Sequence, residues 1–348
     1  MRFCIYTDVH FCEHSSIVRS NGDKFSTRLE NLIASLNWAE QQALEQGCSE
    51  IICLGDFFDS PDLNSRELTA LQEIKWAKLP HTFIVGNHEA SVKSLKYNSV
   101  SALAKNGFDI IRTPKVKVIE NCDLLFIPYF LDSDRKSISD YWRDFSDADR
   151  SSRKRIVFSH NDVKGIRYGA FESKEGFDVD DIQNNCNIFI NGHLHNGQFF
   201  CKNGLNIGNL TGQNFGEDAF EYSHGIFILD TQTSSLDYIE NPFALNFYKF
   251  NIVTVNDIHK LFAIKENSVL SIKCAEVLKP DLEKALEQIS QKIVEKRVIL
   301  IRDVADVPQD TATELSGGID HLTRFIEFCR NRLDNSEILE EELSEVCK

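Results

Sequence analysis

Seven short runs of apolar, β-branched and aromatic residues recur along the first 230 residues and predict buried strands. Between the first three runs, leucine, isoleucine and alanine recur at helical spacing after a Thr27–Glu30 capping box, and a second helix is predicted over 65–77. Later connections are shorter and rich in glycine and asparagine, which indicates more antiparallel pairing. The pattern predicts an α/β protein with two mixed sheets packed face to face and helices outside. The seven runs are 2–7, 50–54, 81–85, 123–128, 155–159, 187–191 and 225–230.

The pattern changes near residue 246. A strand, helix, strand, helix and strand are predicted in succession up to residue 302, enough for a small separate α/β unit. A polar stretch with proline and paired glycine follows and predicts a linker. An apolar stripe then predicts a final helix, which either docks a partner or packs on its own domain. The expected organisation is a main domain over 1–245, a small α/β domain over 246–302, a linker over 303–320 and a helical segment over 321–348.

Composition limits the class of protein. No run of about 18 uninterrupted apolar residues is present, so no membrane span is predicted. The first residues lack a long apolar stretch and a small-residue cleavage site, so they do not resemble a signal peptide. The ten cysteines include no CxxC pair, and we expect reduced thiols in a cytosol.

The formal net charge of −15 bears on possible ligands. Affinity for nucleic acid depends largely on contacts from lysine and arginine to phosphate. The charge therefore argues against a protein that holds DNA by bulk electrostatics alone. Any polyanionic substrate would need a local source of positive charge.

Polar side chains that can bind metal follow five of the predicted strands. In open α/β sheets, ligands bind at the carboxyl ends of the strands. Each of these short patterns, taken singly, also fits a turn, a helix cap or a buried histidine. Together, a nitrogen or oxygen ligand after each of five strands predicts a metal site. The five patterns are Asp8-Val9-His10, Gly55-Asp56-Phe57-Phe58-Asp59, Gly86-Asn87-His88-Glu89, His160 and Gly192-His193-Leu194-His195.

The mixture of residue types indicates which metal the site would hold. Aspartate, asparagine and neutral histidine suit Mn²⁺, Fe²⁺ or Zn²⁺ better than Ca²⁺. Two divalent cations carry four positive charges, and Asp8 and Asp56 cancel two of them. The remaining charge would attract a phosphate diester. Two ions about 3.5–4 Å apart can activate water and stabilise an in-line displacement at phosphorus.

The order DxH, GDxxD, GNHE, H and GHxH spans roughly the first 230 residues and resembles the calcineurin-like metallophosphoesterases. The resemblance implies a four-layer sandwich with two metal ions, and it implies a bridging role for Asp56. His88 would stabilise the transition state and protonate the leaving oxygen. The implied ligands are Asp8, His10, Asp56 and His195 for one ion, and Asp56, Asn87, His160 and His193 for the other.

Later stretches resemble the SbcD branch, the nuclease subunits of double-strand-break repair complexes, including short phage recombination subunits. These stretches are "SHNDVKGIRYG", "GHLHNGQ" and "NIGNLTGQNFGE". The resemblance implies a Mn²⁺-dependent exonuclease on duplex ends and endonuclease on single strands. It also implies a DNA-capping role for 246–302 and docking of an SbcC-type coiled-coil ATPase through 321–348.

The same resemblance sets further expectations. DNA and the ATPase are the expected partners, and a homodimer is left open. Mg²⁺, Fe²⁺ and Zn²⁺ are alternatives to Mn²⁺, and the expected location is a bacterial or phage-infected cytosol. Lys164 and Arg167 are expected to contact DNA because they follow His160 closely, whereas the basic run 150–155 fits a solvated surface equally well.

Two other functions remain open. One is a phosphatase or phosphodiesterase of the same superfamily that acts on a small molecule. The other is a non-catalytic scaffold that keeps the fold to bind a partner. A scaffold should have lost ligands, whereas all seven are present with His88.

Overall fold

A computed structural model describes residues 1–13, 25–91, 94–145, 153–168 and 171–302. Residues 1–300 form one compact unit, and the second unit, 301–348, lies outside the described residues except for its first two positions. The predicted linker 303–320 and helical segment 321–348 are outside the described residues and stay predictions.

The first of two large sheets is mixed. Its spatial order is β16 (Ser235–Glu240), β15 (Gly225–Asp230), β1 (Arg2–Tyr6), β2 (Glu50–Cys53), β3 (His81–Ile84) and β6 (Asp109–Ile111). Strand β1 pairs with β2 in parallel and with β15 antiparallel, and β2, β3 and β6 continue the parallel part.

The second large sheet is also mixed. Its spatial order is β13 (Gln198–Cys201), β14 (Gly204–Asn206), β12 (Ile188–Asn191), β9 (Lys154–Ser159), β8 (Cys122–Ile127) and β7 (Lys115–Ile119). The centre is parallel, because β9 pairs in parallel with both β8 and β12, and an antiparallel strand lies at each edge. Two short hairpins complete this part of the chain: β4 (Ala90–Ser91) with β5 (Ser94–Asn98), and β10 (Arg167–Tyr168) with β11 (Phe171–Glu172).

Alternation along the strands explains the continuous apolar runs. In β1, Phe3 and Ile5 join a core shared with Phe126 and Phe158 of the second sheet, whereas Cys4 and Tyr6 face the other way. Because successive side chains point to opposite faces, a strand covered on both faces needs apolar residues at every position. The shared core shows that the two sheets pack face to face.

Helices cover the outer faces of both sheets. The described helices are α1 (Thr27–Glu45), α2 (Ser65–Ala70), α3 (Ile138–Phe145), α4 (Val179–Asn185), α5 (Val255–His259) and α6 (Lys279–Gln288). Residues of α1 pack on the outer face of the first sheet, and residues of α3 and α4 pack on that of the second, which completes four layers. The predicted fold class, two mixed sheets flanked by helices, is therefore confirmed.

Two details of the helices differ from the prediction. The N-cap of α1 is Ser26, whose side chain accepts from the Leu29 N–H at 3.3 Å, rather than Thr27. The helix predicted over 65–77 ends at Ala70 and is followed by one short 3₁₀ turn. Beyond that turn the backbone donates to side chains of α1, with the Lys75 N–H 2.6 Å from Asn37 Oδ1. Tertiary hydrogen bonds therefore replace the helical ones.

Residues 246–301 form a three-stranded sheet in the order β17 (Asn246–Ile252), β18 (Ser268–Ala275) and β19 (Ile293–Ile301). Together with α5 and α6 it has a core of its own, which includes Tyr248, Ile272 and Leu286. This order of elements is the one predicted from the sequence. The sheet belongs to the compact unit 1–300, and its status as a separate domain beginning at residue 246 stays a prediction.

None of the helices in the described part of the chain is both long and apolar enough to cross a membrane. The eight described cysteines are all free. Arg153 and Lys154, from the basic run, lie at the beginning of β9, at the opposite end of that strand from His160. There Arg153 forms an ion pair with Asp123 at 2.8 Å, so its side chain binds at the end of the strand opposite His160.

His224, before β15, is fully buried, and neither ring nitrogen has a hydrogen-bond partner among the described residues. Burial disfavours the charged ring and lowers the pKa of His224 from 6.5 to about 4, against the opposing charge of Glu217. As the pH falls below 6.5, the unfolded chain takes up this proton before the folded one does. The free energy of unfolding should therefore decrease between pH 6.5 and 4, by at most about 3 kcal/mol from this residue.

Urea unfolding of the EDTA-treated protein at pH 7 and pH 5 measures this effect. Between pH 7 and pH 5, the free energy of unfolding should decrease less in the His224→Leu variant than in the wild type. Titratable groups present in both proteins contribute equally, so the difference between the two decreases measures the effect of His224. An equal decrease in both proteins would show that His224 is not the group responsible.

Candidate metal centre

The predicted ligands follow the carboxyl ends of parallel strands in both sheets. Asp8 and His10 follow β1, Asp56 follows β2, and His160 follows β9. The loops of the first sheet are joined by backbone hydrogen bonds, with the His10 N–H 2.9 Å from the Asp56 carbonyl oxygen. Because the two sheets pack face to face, these ends meet at one edge of the sandwich.

The backbone at this edge adopts conformations that are rare for side chains other than glycine. Among the described residues, six that are not glycine have a positive φ, and four of these are predicted ligands. Left-handed backbone costs roughly 1–2 kcal/mol per residue, and such strain concentrates at functional sites. The turns direct the side chains toward one place at the expense of local stability. The four are Asp8 (φ 50°), His10 (46°), Asp56 (47°) and His193 (81°).

One cluster consists of Asp8, His10 and His195, whose ligand atoms lie within 4.8 Å of one another. His10 Nδ1 lies 2.8 Å from an Asp59 oxygen, and His195 Nδ1 lies 2.8 Å from a Glu217 oxygen. Both rings therefore donate through Nδ1. Their Nε2 atoms face each other at 3.2 Å, so two neutral rings would bring two lone pairs together.

The second cluster contains Asp56, Asn87, His160 and His193. His160 Nδ1 donates to the Leu54 carbonyl at 2.9 Å, which leaves Nε2 facing Asp56 Oδ2 at 3.1 Å and Asn87 Oδ1 at 3.2 Å. His193 Nδ1 lies 3.0 Å from the same Asn87 oxygen. Four potential ligand atoms therefore converge on a second point.

The charges of both clusters influence each other. Burial alone would raise the pKa of Asp56, but the charge and hydrogen bond of His160 and the charge of His10 hold it below its usual value. Burial alone would lower the pKa of His10, whereas its hydrogen bond to Asp59 and the nearby carboxylates of Asp8 and Asp56 raise it to about 10. The carboxylates therefore favour positive charge at this site, and they raise the pKa of His10 and of His160.

The residues fit metal ions on two grounds. Asp8 Oδ1 is buried and has no hydrogen-bond partner among the described residues, while Oδ2 accepts from the Thr7 hydroxyl at 2.7 Å and from the His193 N–H at 3.0 Å. A buried carboxylate oxygen without a partner is unfavourable unless a cation is close. The imidazole and carboxylate donor set also suits first-row divalent ions.

His88 lies on the open side of the centre. Its side chain is 44% exposed, and its Nδ1 donates to the Asp59 carbonyl oxygen at 3.2 Å. Its ring packs edge-on against that of His10, with centroids 4.6 Å apart. Its ligand atoms also lie within 4.8 Å of those of His10 and Asp56, so the geometry by itself permits both a metal ligand and a proton donor.

Glu89 holds two of the loops together. It is fully buried, and its carboxylate accepts from the N–H groups of Phe57 at 2.6 Å, Phe58 at 3.1 Å and Gly86 at 2.7 Å. The loop after β2 is thereby joined to the loop after β3. Glu89 orients backbone rather than a ligand side chain.

Gly86 lies against the centre, and a side chain there has no room. A Cβ at Gly86 would be 2.1 Å from Asp56 Oδ1 and 2.6 Å from the Asp56 nitrogen. We expect Gly86→Ala to displace Asp56, to lower the free energy of unfolding by about 1–3 kcal/mol and to weaken metal binding. Manganese titration and urea unfolding measure both effects. Gly47→Ala is the control for metal binding, because the space around that position is open. Its φ of 63° makes alanine unfavourable there, so this variant should lose stability without losing metal, and unchanged metal binding in Gly86→Ala would contradict the expectation.

Lys164 and Arg167 occupy different surroundings from the ligands. Lys164 is exposed and lines a polar cavity of about 250 Å³ together with Arg135 and Asp132. Arg167 forms an exposed ion pair with Glu172 at 3.4 Å. Within the described ranges, no hydrogen bond or ion pair joins either side chain to the predicted ligands. Their contact with DNA stays a prediction.

Two carboxylates beside the histidines had no role in the sequence-based prediction. Asp162 lies 3.3 Å from His193 Nε2, and Glu217 binds His195. Asp162 could have been suspected, since it lies two positions after His160. Glu217 is 22 positions from His195 in the chain, and no local pattern connects them.

Comparison with known proteins follows this geometry. A family model described as calcineurin-like phosphoesterase matches residues 1–197. Among curated proteins, none matches this chain. Similar solved structures include a dimetal phosphatase from Danio rerio, with 14% identity, a TM-score of 0.41, and coverage of 65% of this chain and 91% of that one. They also include the protein TT1561 of Thermus thermophilus, with 10% identity, a TM-score of 0.40, and coverage of 69% of this chain and 98% of that one.

Proposed function

Because the chain belongs to the calcineurin-like phosphoesterase family, a family of metal-dependent hydrolases, we propose that it is a DNA nuclease that uses two divalent ions. One observation carries the proposal. Four histidines, two aspartates and one asparagine from both sheets turn their potential ligand atoms toward two adjoining points, with Asp56 at both. Mn²⁺ is the proposed metal, as the donor set suits it.

The residues at each point have distinct tasks. Asp8, His10 and His195 would hold one ion, and Asn87, His160 and His193 the other, with Asp56 shared. Ions bound there would supply Lewis-acid activation of water and of the phosphate ester. Asp59 keeps the His10 ring directed inward through its hydrogen bond to Nδ1.

His88 is the proposed general acid. Hydrolysis of a phosphodiester breaks a P–O bond, and the leaving oxygen needs a proton. The bond from His88 Nδ1 to the Asp59 carbonyl occupies that nitrogen, so the proton for the leaving oxygen would come from Nε2. The exposure of the ring leaves room for a substrate beside it.

DNA as the substrate is supported by sequence and by the extent of the chain. The resemblance to the SbcD branch continues past residue 197, where the family match ends. Beyond it the chain adds a three-stranded sheet with its own core, which a hydrolase of small phosphate esters would not need. We propose that this sheet contacts DNA and that 321–348 docks a coiled-coil ATPase. The ATPase would supply the affinity for DNA that a chain of net charge −15 lacks.

Nuclease assays of the purified chain test the proposal. With Mn²⁺, it should shorten end-labelled linear duplex DNA and cut circular single-stranded DNA, and EDTA should abolish both activities. The same preparation is offered p-nitrophenyl phosphate and bis(p-nitrophenyl) phosphate. Hydrolysis of these small esters without any cleavage of DNA would overturn the nuclease and favour a small-molecule phosphoesterase. Co-purification with a long coiled-coil ATPase encoded next to this chain would support the proposed complex.

A further inference from the structure

A buried carboxylate lies behind His195, outside the region that the family model matches. Glu217 is 2% exposed. Its Oε1 accepts from His195 Nδ1 at 2.8 Å and from Asn214 Nδ2 at 2.9 Å. Its Oε2 accepts from Asn209 Nδ2 at 3.0 Å and from the Gln213 N–H at 2.8 Å. Four donors therefore fix both oxygens.

This arrangement determines which nitrogen of His195 is available. A carboxylate at Nδ1 requires a hydrogen on that atom, so Nε2 carries the lone pair. Nε2 is the nitrogen that faces His10 Nε2, at 3.2 Å, in the cluster with Asp8. Without Glu217, the ring could adopt the other tautomer or turn, and the lone pair would no longer be held at the cluster. A carboxylate behind a metal-binding histidine also makes that histidine a stronger ligand.

The segment that carries Glu217 is held by the three-stranded sheet. The Phe215 ring packs edge-on against Phe247 in β17, with centroids 5.2 Å apart. Asp218 forms a parallel bridge with Phe247, and the Ala219 N–H donates to the Phe247 carbonyl at 3.0 Å. Glu217 therefore lies between a residue that packs on β17 and residues that pair with it.

A purely local role would not need the contact with His195. The Asn209, Gln213 and Asn214 donors would satisfy the carboxylate and close the loop by themselves. The fourth bond connects that loop to the metal cluster across the interior of the protein. Because this bond is short and its carboxylate is buried, the orientation of His195 depends on the position of the segment.

We propose that Glu217 is a positioning residue that sets the tautomer and direction of His195, and that the three-stranded sheet holds Glu217 in place. This rests on the metal-site part of the proposed function and is independent of the substrate. Glu217→Gln is the appropriate change, because glutamine has the same shape but only one acceptor oxygen. Its NH₂ group would face donors at one of the two oxygen positions.

Manganese titration of the full chain is the first measurement. The wild type should bind two Mn²⁺ ions, and Glu217→Gln should bind one of them about 10- to 100-fold more weakly, as is typical when a residue behind a metal ligand is changed. Glu50→Gln is the matched control. It removes an equally buried carboxylate, bound to Thr82 at 2.6 Å, at the start of β2, the end opposite Asp56.

Nitrogen NMR of metal-free, ¹⁵N-histidine-labelled protein gives a second readout, with His195→Gln used to identify the resonances. The wild type should show hydrogen on Nδ1 of His195, and Glu217→Gln should shift these signals. Unchanged affinity and unchanged signals would overturn the proposal, even if the variant melts at a lower temperature. Absence of Mn²⁺ binding by the wild type would instead overturn the proposed function.

A third variant tests whether the three-stranded sheet holds Glu217 in place. Phe215→Ala removes the ring that packs on Phe247 and leaves Glu217 itself intact. It should lower the affinity for the same Mn²⁺ ion by a smaller factor than Glu217→Gln does. Unchanged affinity in Phe215→Ala would overturn the anchoring by the sheet.

Discussion

Replacing Asp56 with asparagine is expected to remove binding of both metal ions and, with it, all measurable hydrolysis. Asp56 Oδ2 lies 3.1 Å from His160 Nε2 and 3.8 Å from His10 Nε2, so one oxygen is close to a histidine of each cluster. Asparagine preserves the shape, and its oxygen can still accept from the His88 N–H, which now donates to Oδ1 at 3.0 Å. The substitution removes the negative charge of Asp56 between the two clusters of potential ligands.

The expected loss of metal affinity follows from a comparison with residues that only support a metal ligand. Changing a residue that only supports a metal ligand costs about 10- to 100-fold in affinity, so losing a shared ligand should exceed about 100-fold for each ion. Metal content after gel filtration and manganese titration measure the effect. Asp123→Asn is a matched control, because Asp123 is also a buried carboxylate but pairs with Arg153 at the far end of β9. Retention of two tightly bound Mn²⁺ ions by Asp56→Asn would refute the shared role.

Replacing His88 with alanine should leave metal content intact and lower the turnover of DNA by about 100- to 10,000-fold, the usual contribution of a general acid. That range corresponds to about 3–5 kcal/mol in the activation free energy. The side chain is 44% exposed, so its removal should change the free energy of unfolding by no more than about 0.5 kcal/mol. His259→Ala, another exposed histidine, controls for the loss of an imidazole from the surface.

The leaving group distinguishes an acid from a ligand. A nitrophenolate leaves without a proton, so His88→Ala should slow bis(p-nitrophenyl) phosphate hydrolysis much less than DNA cleavage. Loss of a metal ion in this variant would mean that His88 belongs to the cluster with His10 and Asp56, which the distances also permit. An equal decrease for both substrates would argue against proton donation to the leaving oxygen.

Much of the fold could be predicted because the strands are covered on both faces. Residues such as Phe3 and Cys4 pack in different layers, and both layers are apolar, so β1 reads as a continuous run. The helix predicted over 65–77 shows the limit of such reasoning. Its second half has a helical pattern, but Asn37 and Glu40 of α1 accept the N–H groups of Lys75 and Ala77. A pattern along the chain contains no information about donors and acceptors from another helix.

The candidate site, like the fold, could be predicted only in part. The residue types that could hold metal were recognisable because each follows a strand, and the structure brings all seven together with His88. Asp162 and Glu217, which lie beside His193 and His195, were not recognised. Their partners become neighbours only when the loops after different strands meet.

By itself, the sequence determined seven of the strands in chain order, the helix α1 of one outer layer and the set of side chains at the strand ends. These depend on local propensity and on the period of the apolar residues, which are properties of neighbouring positions. Only the tertiary structure decided the left-handed backbone at Asp8, His10 and Asp56, and the nitrogen that each histidine directs inward. The strained turns persist because distant segments hold them, and a ring nitrogen is selected by whichever acceptor lies behind it. Both are consequences of contacts between residues far apart in the chain.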